Sequence, residues 1–276
     1  MNTGAKAVMI DETAAARSLY AAGRYEEALA ALAGPGGDLA GYYTLRGDIQ
    51  FHLKRFEEAS GSYFTAVTLE AVPENEYAQY RLAVCLHQLG RWTSAAEAFL
   101  KVLEIDPYRD DVRLGLGACL LHMKRPEEAL AHFERCGAER VSQRAVFGKA
   151  VALQLLRRHE EAEGHYRRIL ASDPRHEASL ANLIALYAET GDFEKLRRYA
   201  TRLLEVAPDS VTALQGLAAA SLGNHEYEAA SRYCSRIVER APNCVEAWHN
   251  LRFTSDRVMS TLRSSVRALD AGARRE

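Results

Sequence analysis

Cysteine is scarce in this 276-residue chain: there are five, Cys85, Cys119, Cys136, Cys234 and Cys244, with no CxxC pair among them. An odd, scattered set builds neither a disulfide framework nor a zinc knuckle, and reads as small buried hydrophobes in a reducing compartment. Seven prolines and eighteen glycines are too few for a low-complexity linker protein. No run of about 18 apolar residues exists, which excludes a bilayer-spanning helix. Met1 to Ile10 carries one lysine and a four-residue apolar patch, far short of a secretory signal. Charge of one sign is also missing. The formal net charge is -2 and the pI about 6.5, so no broad phosphate-binding surface is expected. Lysine is rare beside arginine, a ratio that GC-rich coding produces and that leans towards a bacterial source. With 48% hydrophobic and 26% charged residues, the composition is that of a folded, soluble, cytoplasmic protein.

What the chain does have is internal repetition. Four tetrads nearly coincide: Tyr25-Glu26-Glu27-Ala28, Phe56-Glu57-Glu58-Ala59, Pro126-Glu127-Glu128-Ala129 and His159-Glu160-Glu161-Ala162. Looser versions end at Ala95, Leu196 and Ala230, so successive tetrads lie 31, 36, 34, 33, 34 and 34 residues apart. Pro73, Pro107, Pro174, Pro208 and Pro242 keep the same beat, spaced 34, 67, 34 and 34, with Val141 in the skipped slot. Two residue classes agreeing on one period identify a repeat architecture.

Each repeat reads as two helices. The first carries apolar residues at helical spacing, as in Tyr80, Leu82, Ala83 and Leu86, and stops at a glycine or basic turn such as Gly90-Arg91. The second opens on acidic residues, which favour the positive end of the helix dipole, and stops at a proline such as Pro107.

These residues resemble the tetratricopeptide repeat, a 34-residue unit with a small residue at position 8, alanine at 20, an aromatic at 24 and proline at 32. Position 8 is Gly47, Ala83, Gly117, Ala150 and Ala218; position 20 is Ala28, Ala59, Ala95, Ala129, Ala162 and Ala230; position 24 is Tyr63, Phe99, Phe133 and Tyr166. The pattern covers residues 9–244 as seven repeats, leaving residues 1–8 as a short leading segment and 245–276 as a capping helix with an apolar stripe of Val258, Leu262, Val266 and Leu269. The first repeat is cut short by Gly34-Pro35-Gly36-Gly37, and an extra turn, Pro73-Glu74-Asn75-Glu76, precedes the third. The sixth has Leu196 and Ala200 at positions 20 and 24, and the seventh has Cys234 at 24. The resemblance implies an all-α, right-handed superhelical solenoid of helix pairs whose first helices line a concave groove.

In the family, positions 2, 5, 9 and 12 of each repeat, with 6 and 13 beside them, face that groove. The subclass that clamps the terminal carboxylate of heat-shock chaperones has Lys and Asn at positions 5 and 9. Here those pairs are Thr13/Arg17, Thr44/Asp48, Tyr80/Val84, Leu114/Ala118, Phe147/Val151, Ala181/Ala185 and Gln215/Ala219, so that clamp is absent. What remains is an apolar, aromatic-studded wall of Tyr77, Tyr80, Val84, His87, Leu114, Leu121, Phe147 and Val151, edged by Arg81, Asp111, Arg144, Gln154 and Asn182. Aromatics flanked by arginine dominate interface energetics. The expected partner is a protein or peptide segment anchored on this wall.

Chemistry finds little support. The nine histidines form no i,i+4 pair; His159 and His165 sit six apart among glutamates, which suits a solvated helix face. The Glu-Glu pairs recur at one phase in four repeats, whereas an active site is a unique constellation. No GxxxxGK[ST], GxGxxG or GxSxG stretch occurs. No catalytic residue, metal or cofactor is therefore expected. RNA reading by the related pentatricopeptide class needs a basic groove, which net charge -2 argues against. The expectation is a non-catalytic scaffold or adaptor. Homo-oligomeric assembly, or service as an accessory subunit of an enzyme such as a glycosyltransferase, are the alternatives.

Overall fold

The computed structural model describes residues 13–32, 34, 38–69, 75–136 and 143–273, with side chains to residue 264. The leading segment 1–8, Pro35 to Gly37, the Pro73-Glu74 step, Val141, and the side chains of Val266 and Leu269 lie outside that range. Among the described residues there are fifteen helices and no strand. Seven consecutive pairs are α1 (Ala14–Ala21) with α2 (Tyr25–Ala30), α3 (Leu39–His52) with α4 (Phe56–Leu69), α5 (Glu76–Gln88) with α6 (Trp92–Ile105), α7 (Asp110–His122) with α8 (Pro126–Glu134), α9 (Gln143–Leu155) with α10 (His159–Ser172), α11 (Glu177–Thr190) with α12 (Phe193–Val206), and α13 (Val211–Gly223) with α14 (Tyr227–Arg240). A longer helix, α15 (Val245–Ala273), follows. The architecture is the all-α helix-pair repeat that the periodicity implies. Two compact units divide it, Met1–Gly148 and Lys149–Glu276.

Every second helix begins on the first residue of its tetrad. The acidic residues there do two jobs. The second glutamate pairs with the arginine that precedes its own helix, as in Arg125–Glu128 at 2.5 Å and Arg158–Glu161 at 2.6 Å. The first reaches the arginine of the following repeat, as in Glu26–Arg55 at 3.0 Å and Glu57–Arg91 at 2.9 Å. All are exposed, so each adds little; their recurrence marks register rather than chemistry.

The turn inside each pair is fixed by one left-handed residue. Gly23, Lys54, Gly90, Lys124, Arg157, Gly191 and His225 all have φ between 60° and 74° and occupy equivalent slots. Four of the seven carry a side chain, which costs energy in that conformation. Lys124→Gly is therefore expected to stabilise the first unit by about 0.5 kcal/mol, the relief of backbone strain exceeding the entropy glycine loses on folding. A lower urea midpoint for the variant would refute this.

The position-20 alanines are all fully buried, at 0% exposure, and so is Leu196 in the same slot. Only a small side chain fits where two helices cross closely, and the aromatic at position 24 fills the adjacent space. A Cβ built on Gly47 would lie 2.7 Å from the Tyr63 ring, and one on Gly117 2.6 Å from the Phe133 ring. In the sixth repeat the exchange of sizes is absorbed by closer approach: a Cβ on Gly216 would lie 2.8 Å from Ile184 and 3.0 Å from Ala200.

The capping stripe differs from expectation. Ala247 and Thr254 are buried and Leu251 is packed against the α13–α14 core. Further along, Val258 is only half-buried, and Met259 and Leu262 are each 51% exposed. The N-terminal part of α15 caps the last core, while residues 259–264 run on with their side chains in solvent. Apolar spacing alone does not distinguish a stripe that covers a core from one left open.

Candidate partner-binding site

In the first unit the expected wall is carried by α5, α7 and the start of α9. Tyr80, Val84, Leu114 and Leu121 are half-buried, their inner edges packed on a core that includes Phe99, Leu116 and Phe133. Phe147 is likewise half-buried, and Arg144 is exposed. Half-burial follows from where first-helix residues sit: one edge grips the neighbouring helix and the other stays open.

Arg109, which sequence reasoning passed over, sets the polar frame of this wall. Its guanidinium lies 2.6 Å from Glu76 and 2.6 Å from Asp111, and stacks 4.5 Å from the centre of the Tyr80 ring. The paired carboxylates hold the guanidinium charged, while burial followed by the nearby Asp111 raises the Tyr80 phenol above its usual range. Tyr80 thus stays neutral and is held at the edge by a cation–π contact. Spacing gave no signal for Arg109, since it precedes α7 rather than lying on a helix face.

Arg81, expected at the polar edge, turns inward, and Tyr77, expected on the wall, is tied to Asp48 through its hydroxyl. The hydroxyls of Tyr63 and Tyr77 both donate to Asp48 Oδ1, at 2.6 and 2.8 Å. Arg81 Nε donates to the Tyr63 hydroxyl at 3.1 Å and lies 3.3 Å from Asp48 Oδ1, and its guanidinium covers the Phe51 ring at 3.9 Å. Arg81 is an interior linker between α3, α4 and α5, and only the ring of Tyr77 is offered outward. Beside them a cavity of about 490 Å3 is lined by Arg17, Thr44, Asp48 and Tyr77 among others.

His87 packs edge-on against Trp92 at 5.1 Å, and Trp92 stacks on His122 at 3.9 Å. The same pairing occurs two repeats earlier, where Tyr25 stacks on His52 at 4.7 Å. Burial, then His122 and Arg144, pushes the His87 imidazole below its ordinary value. Burial, then Arg135 and Arg113, does the same for His132 against a smaller opposing pull from Glu128. The folded first unit therefore refuses protons that the unfolded chain accepts below about pH 6.5. Stability is full above that pH and is lost as pH falls through it. The melting midpoint is expected to drop between pH 7 and 5.5, and the His87→Gln/His132→Gln variant to lose most of that drop. An unchanged pH slope in the variant would contradict the assignment.

The remaining expected residues belong to the second unit. Val151 and Asn182 are half-buried, and Gln154 accepts a hydrogen bond from the Tyr166 hydroxyl at 2.9 Å. On α10 and α12 a cavity of about 260 Å3 gathers Arg167, Lys195, Arg198 and Arg202 around Tyr199, with Glu163 as its acidic member. This cationic cluster is on second helices, away from the positions expected to bind.

Among the described residues no group of three His, Cys, Asp or Glu side chains could hold a metal, and no helix is long and apolar enough to cross a membrane. Cys85, Cys119 and Cys234 are buried and Cys136 and Cys244 half-buried, all as free thiols. Burial pushes Cys85 and Cys119 each up to about 12, which makes them poor nucleophiles.

Residues 87–148 and, overlapping them, 62–110 match tetratricopeptide repeat families. The chain is 31% identical over 122 residues to tetratricopeptide repeat protein 1 of Schizosaccharomyces pombe, a match that covers 42% of this chain but only 12% of that protein. Among solved structures it resembles PilW, a type IV pilus biogenesis factor, with a TM-score of 0.66 at 18% identity, covering 79% of this chain and 99% of that one. A tetratricopeptide repeat protein from Parabacteroides merdae gives 0.65 at 20% identity, with 89% and 98% covered. YrrB, described as having an unusual peptide-binding site, gives 0.55 at 21% identity, with 64% and 90% covered. At these identities the structural likeness speaks for the fold alone. Repeat period, buried small-residue slots and helix pairing agree with the family match: residues 62–148 carry tetratricopeptide repeats, within an all-α fold of helix pairs like that of the solved tetratricopeptide repeat structures.

Proposed function

We propose that the protein is a non-catalytic interaction scaffold, and that the wall of Tyr80, Leu114, Leu121 and Phe147 anchors an apolar segment of a protein partner. The observation that carries this reading is the row of half-exposed aromatic and aliphatic side chains on successive first helices, with Arg109 and Arg144 beside it. Such side chains are already partly ordered by their inner contacts, so binding costs little additional side-chain entropy. Aromatic anchors with an adjacent arginine are the types that concentrate interface energy. The peptide-binding site described for YrrB and the description of PilW as a pilus biogenesis factor agree with the proposal.

The test is capture of interacting proteins by the immobilised chain. Leu121→Ser with Phe147→Ser is expected to weaken capture by at least tenfold while helix content and melting midpoint stay near those of the parent. Undiminished capture by a folded variant would overturn the proposal.

A second reading, self-association, is favoured by α15, where Val245, Trp248, Met259 and Leu262 are all at least half exposed. Analytical ultracentrifugation over a hundredfold concentration range separates the two. Association that Met259→Lys with Leu262→Lys abolishes would support a homo-oligomer; a constant monomer mass would reject it.

A further inference from the structure

The sixth repeat reverses a charge pattern that four others keep. Position 19 is Glu27, Glu58, Glu128 and Glu161 in the first, second, fourth and fifth repeats. In three of these the glutamate pairs with an arginine at position 16: Arg24, Arg125 and Arg158. In the sixth, position 16 is Asp192 and position 19 is Lys195, paired at 3.3 Å. The register contact survives with its signs exchanged, and the cation now stands on α12. Positions 22 and 26 add Arg198 and Arg202, where the second repeat has Gly61 and Thr65. No other repeat is basic at all three places.

These three side chains line one cavity of about 260 Å3 in the second unit, to which α10 contributes Glu163, Arg167, Leu170 and Ala171. Four cations therefore gather around one carboxylate. Glu163 is divided between Arg167 at 3.5 Å and Lys195 at 3.9 Å, neither a close contact. Among the described residues Arg198 and Arg202 have no carboxylate partner. Their guanidiniums lie 5.9 and 5.6 Å from the centre of the Tyr199 ring, and Arg202 donates to the Pro174 carbonyl at 3.3 Å. Arg197, one residue from Arg198 and outside the cavity, is by contrast paired with Glu226 at 2.6 Å.

The aromatic base of the cavity is fixed. Tyr199 is buried and stacks on Tyr187, with ring centres 5.4 Å apart, and Lys195 Nζ lies 5.2 Å from the Tyr187 ring. Burial, then Glu163, raises the Tyr187 phenol, whose hydroxyl is sealed from solvent without a hydrogen-bond partner.

We propose that this cavity binds a phosphate monoester, its dianionic phosphoryl group held by Lys195, Arg198 and Arg202. Guanidinium forks match phosphate oxygens in pairs, and an ammonium adds a point charge. The group carries close to two negative charges near neutral pH, which suits the excess of cations over Glu163. The volume has room for one phosphoryl group and the few atoms that carry it, with Leu170 and Ala171 left for the ester carbons. Glu163 does not block the site: an anion that draws Lys195 away leaves this carboxylate the Tyr187 hydroxyl as a donor. A free small monoester and a phosphorylated side chain of a protein present the same group, and the experiment separates them.

The full chain is titrated at about 0.15 M salt, where loose surface attraction is screened, and followed by NMR. The probes are methyl phosphate and three capped pentapeptides of alanine with a central phosphoserine, serine or aspartate. The phosphoserine peptide is expected to shift the amides from Lys195 to Arg202 and the Nε–H signals of Arg198 and Arg202 in a saturable manner. The serine and aspartate peptides should bind at least tenfold more weakly. Arg198→Gln with Arg202→Gln should reduce phosphoserine affinity at least tenfold, and so should Lys195→Glu, which installs the residue type of the other repeats. Arg197→Gln should leave it unchanged, as should Leu121→Ser with Phe147→Ser, which separates this cavity from the wall of the first unit. Methyl phosphate binding at least as tightly as the phosphopeptide would support a free small molecule as the source; a phosphopeptide at least tenfold tighter would support a protein segment. Equal binding of the phosphoserine peptide and either other peptide, or full phosphoserine affinity in the Arg198→Gln/Arg202→Gln variant, would overturn the proposal.

Discussion

Asp48→Ala is expected to lower the unfolding free energy of the first unit by about 3 kcal/mol, the magnitude associated with removing one partner of a buried, hydrogen-bonded ion pair. The Asp48 and Arg81 side chains are only 12% and 16% exposed, so solvent screens neither well. Asp48 Oδ1 accepts from two phenols and lies against the guanidinium. Its loss strands the charge of Arg81 over Phe51 and leaves the Tyr63 hydroxyl without its acceptor. Asp48→Asn keeps an acceptor oxygen and should cost roughly half as much, because charge-assisted bonds are about twice as strong as neutral ones. Asp48→Ala combined with Arg81→Met should recover most of the loss, since both ends of the ion pair are then gone. Urea unfolding with hydrogen exchange on α3 to α5 reads these changes. A loss below about 1 kcal/mol for Asp48→Ala would mean that water reaches the network and that the geometry is not its main support.

That network also shows where sequence reasoning stopped. The helix pairs, the tetrad starts and the buried alanines were legible because each is a steric demand renewed every 34 residues, and periodicity makes such demands visible. The Asp48 cluster is unique. Its bonds span 15 and 29 residues, and three helices of two repeats contribute to it. Arg81 was expected at the edge of the wall because position 6 points that way in the family; Asp48, one repeat earlier, draws it inward. Arg109 was missed for a related reason: Asp111 lies two residues on, but Glu76, 33 residues earlier, is brought to it only by the stacking of α5 against α7. The exchange at Cys234 was visible in the sequence, but whether neighbours collapse around a smaller residue depends on packing in three dimensions. The stripe on α15 failed in the opposite way. Its spacing was right, but a pattern does not reveal where the core beneath it ends.

Phe133→Ala is expected to be as damaging as any single change in the first unit, at about 3–5 kcal/mol, the range for truncating a buried phenylalanine. The ring is only 3% exposed and is held between two backbones at glycines: a Cβ would lie 2.6 Å from it at Gly117 and 2.5 Å at Gly148. Neither glycine offers a side chain that could swing into the void, so the site relaxes poorly. The converse change strains the same contact: Gly117→Ala should cost about 1–3 kcal/mol by overpacking. Joining Gly117→Ala with Phe133→Leu should cost less than the sum of the two, because the smaller side chain gives way where the new methyl arrives. Strict additivity in that double-mutant cycle would show that the glycine is small for some other reason. The effect should reach function as well. Gly148 follows Phe147 directly, so the Phe133 ring fixes the height at which the start of α9 sits on α8, and with it the position of the proposed anchor. A Phe133→Leu variant that still folds at 25 °C should lose partner capture in parallel with hydrogen-exchange protection at residues 145–148. Protection lost with capture intact would detach Phe147 from the binding wall.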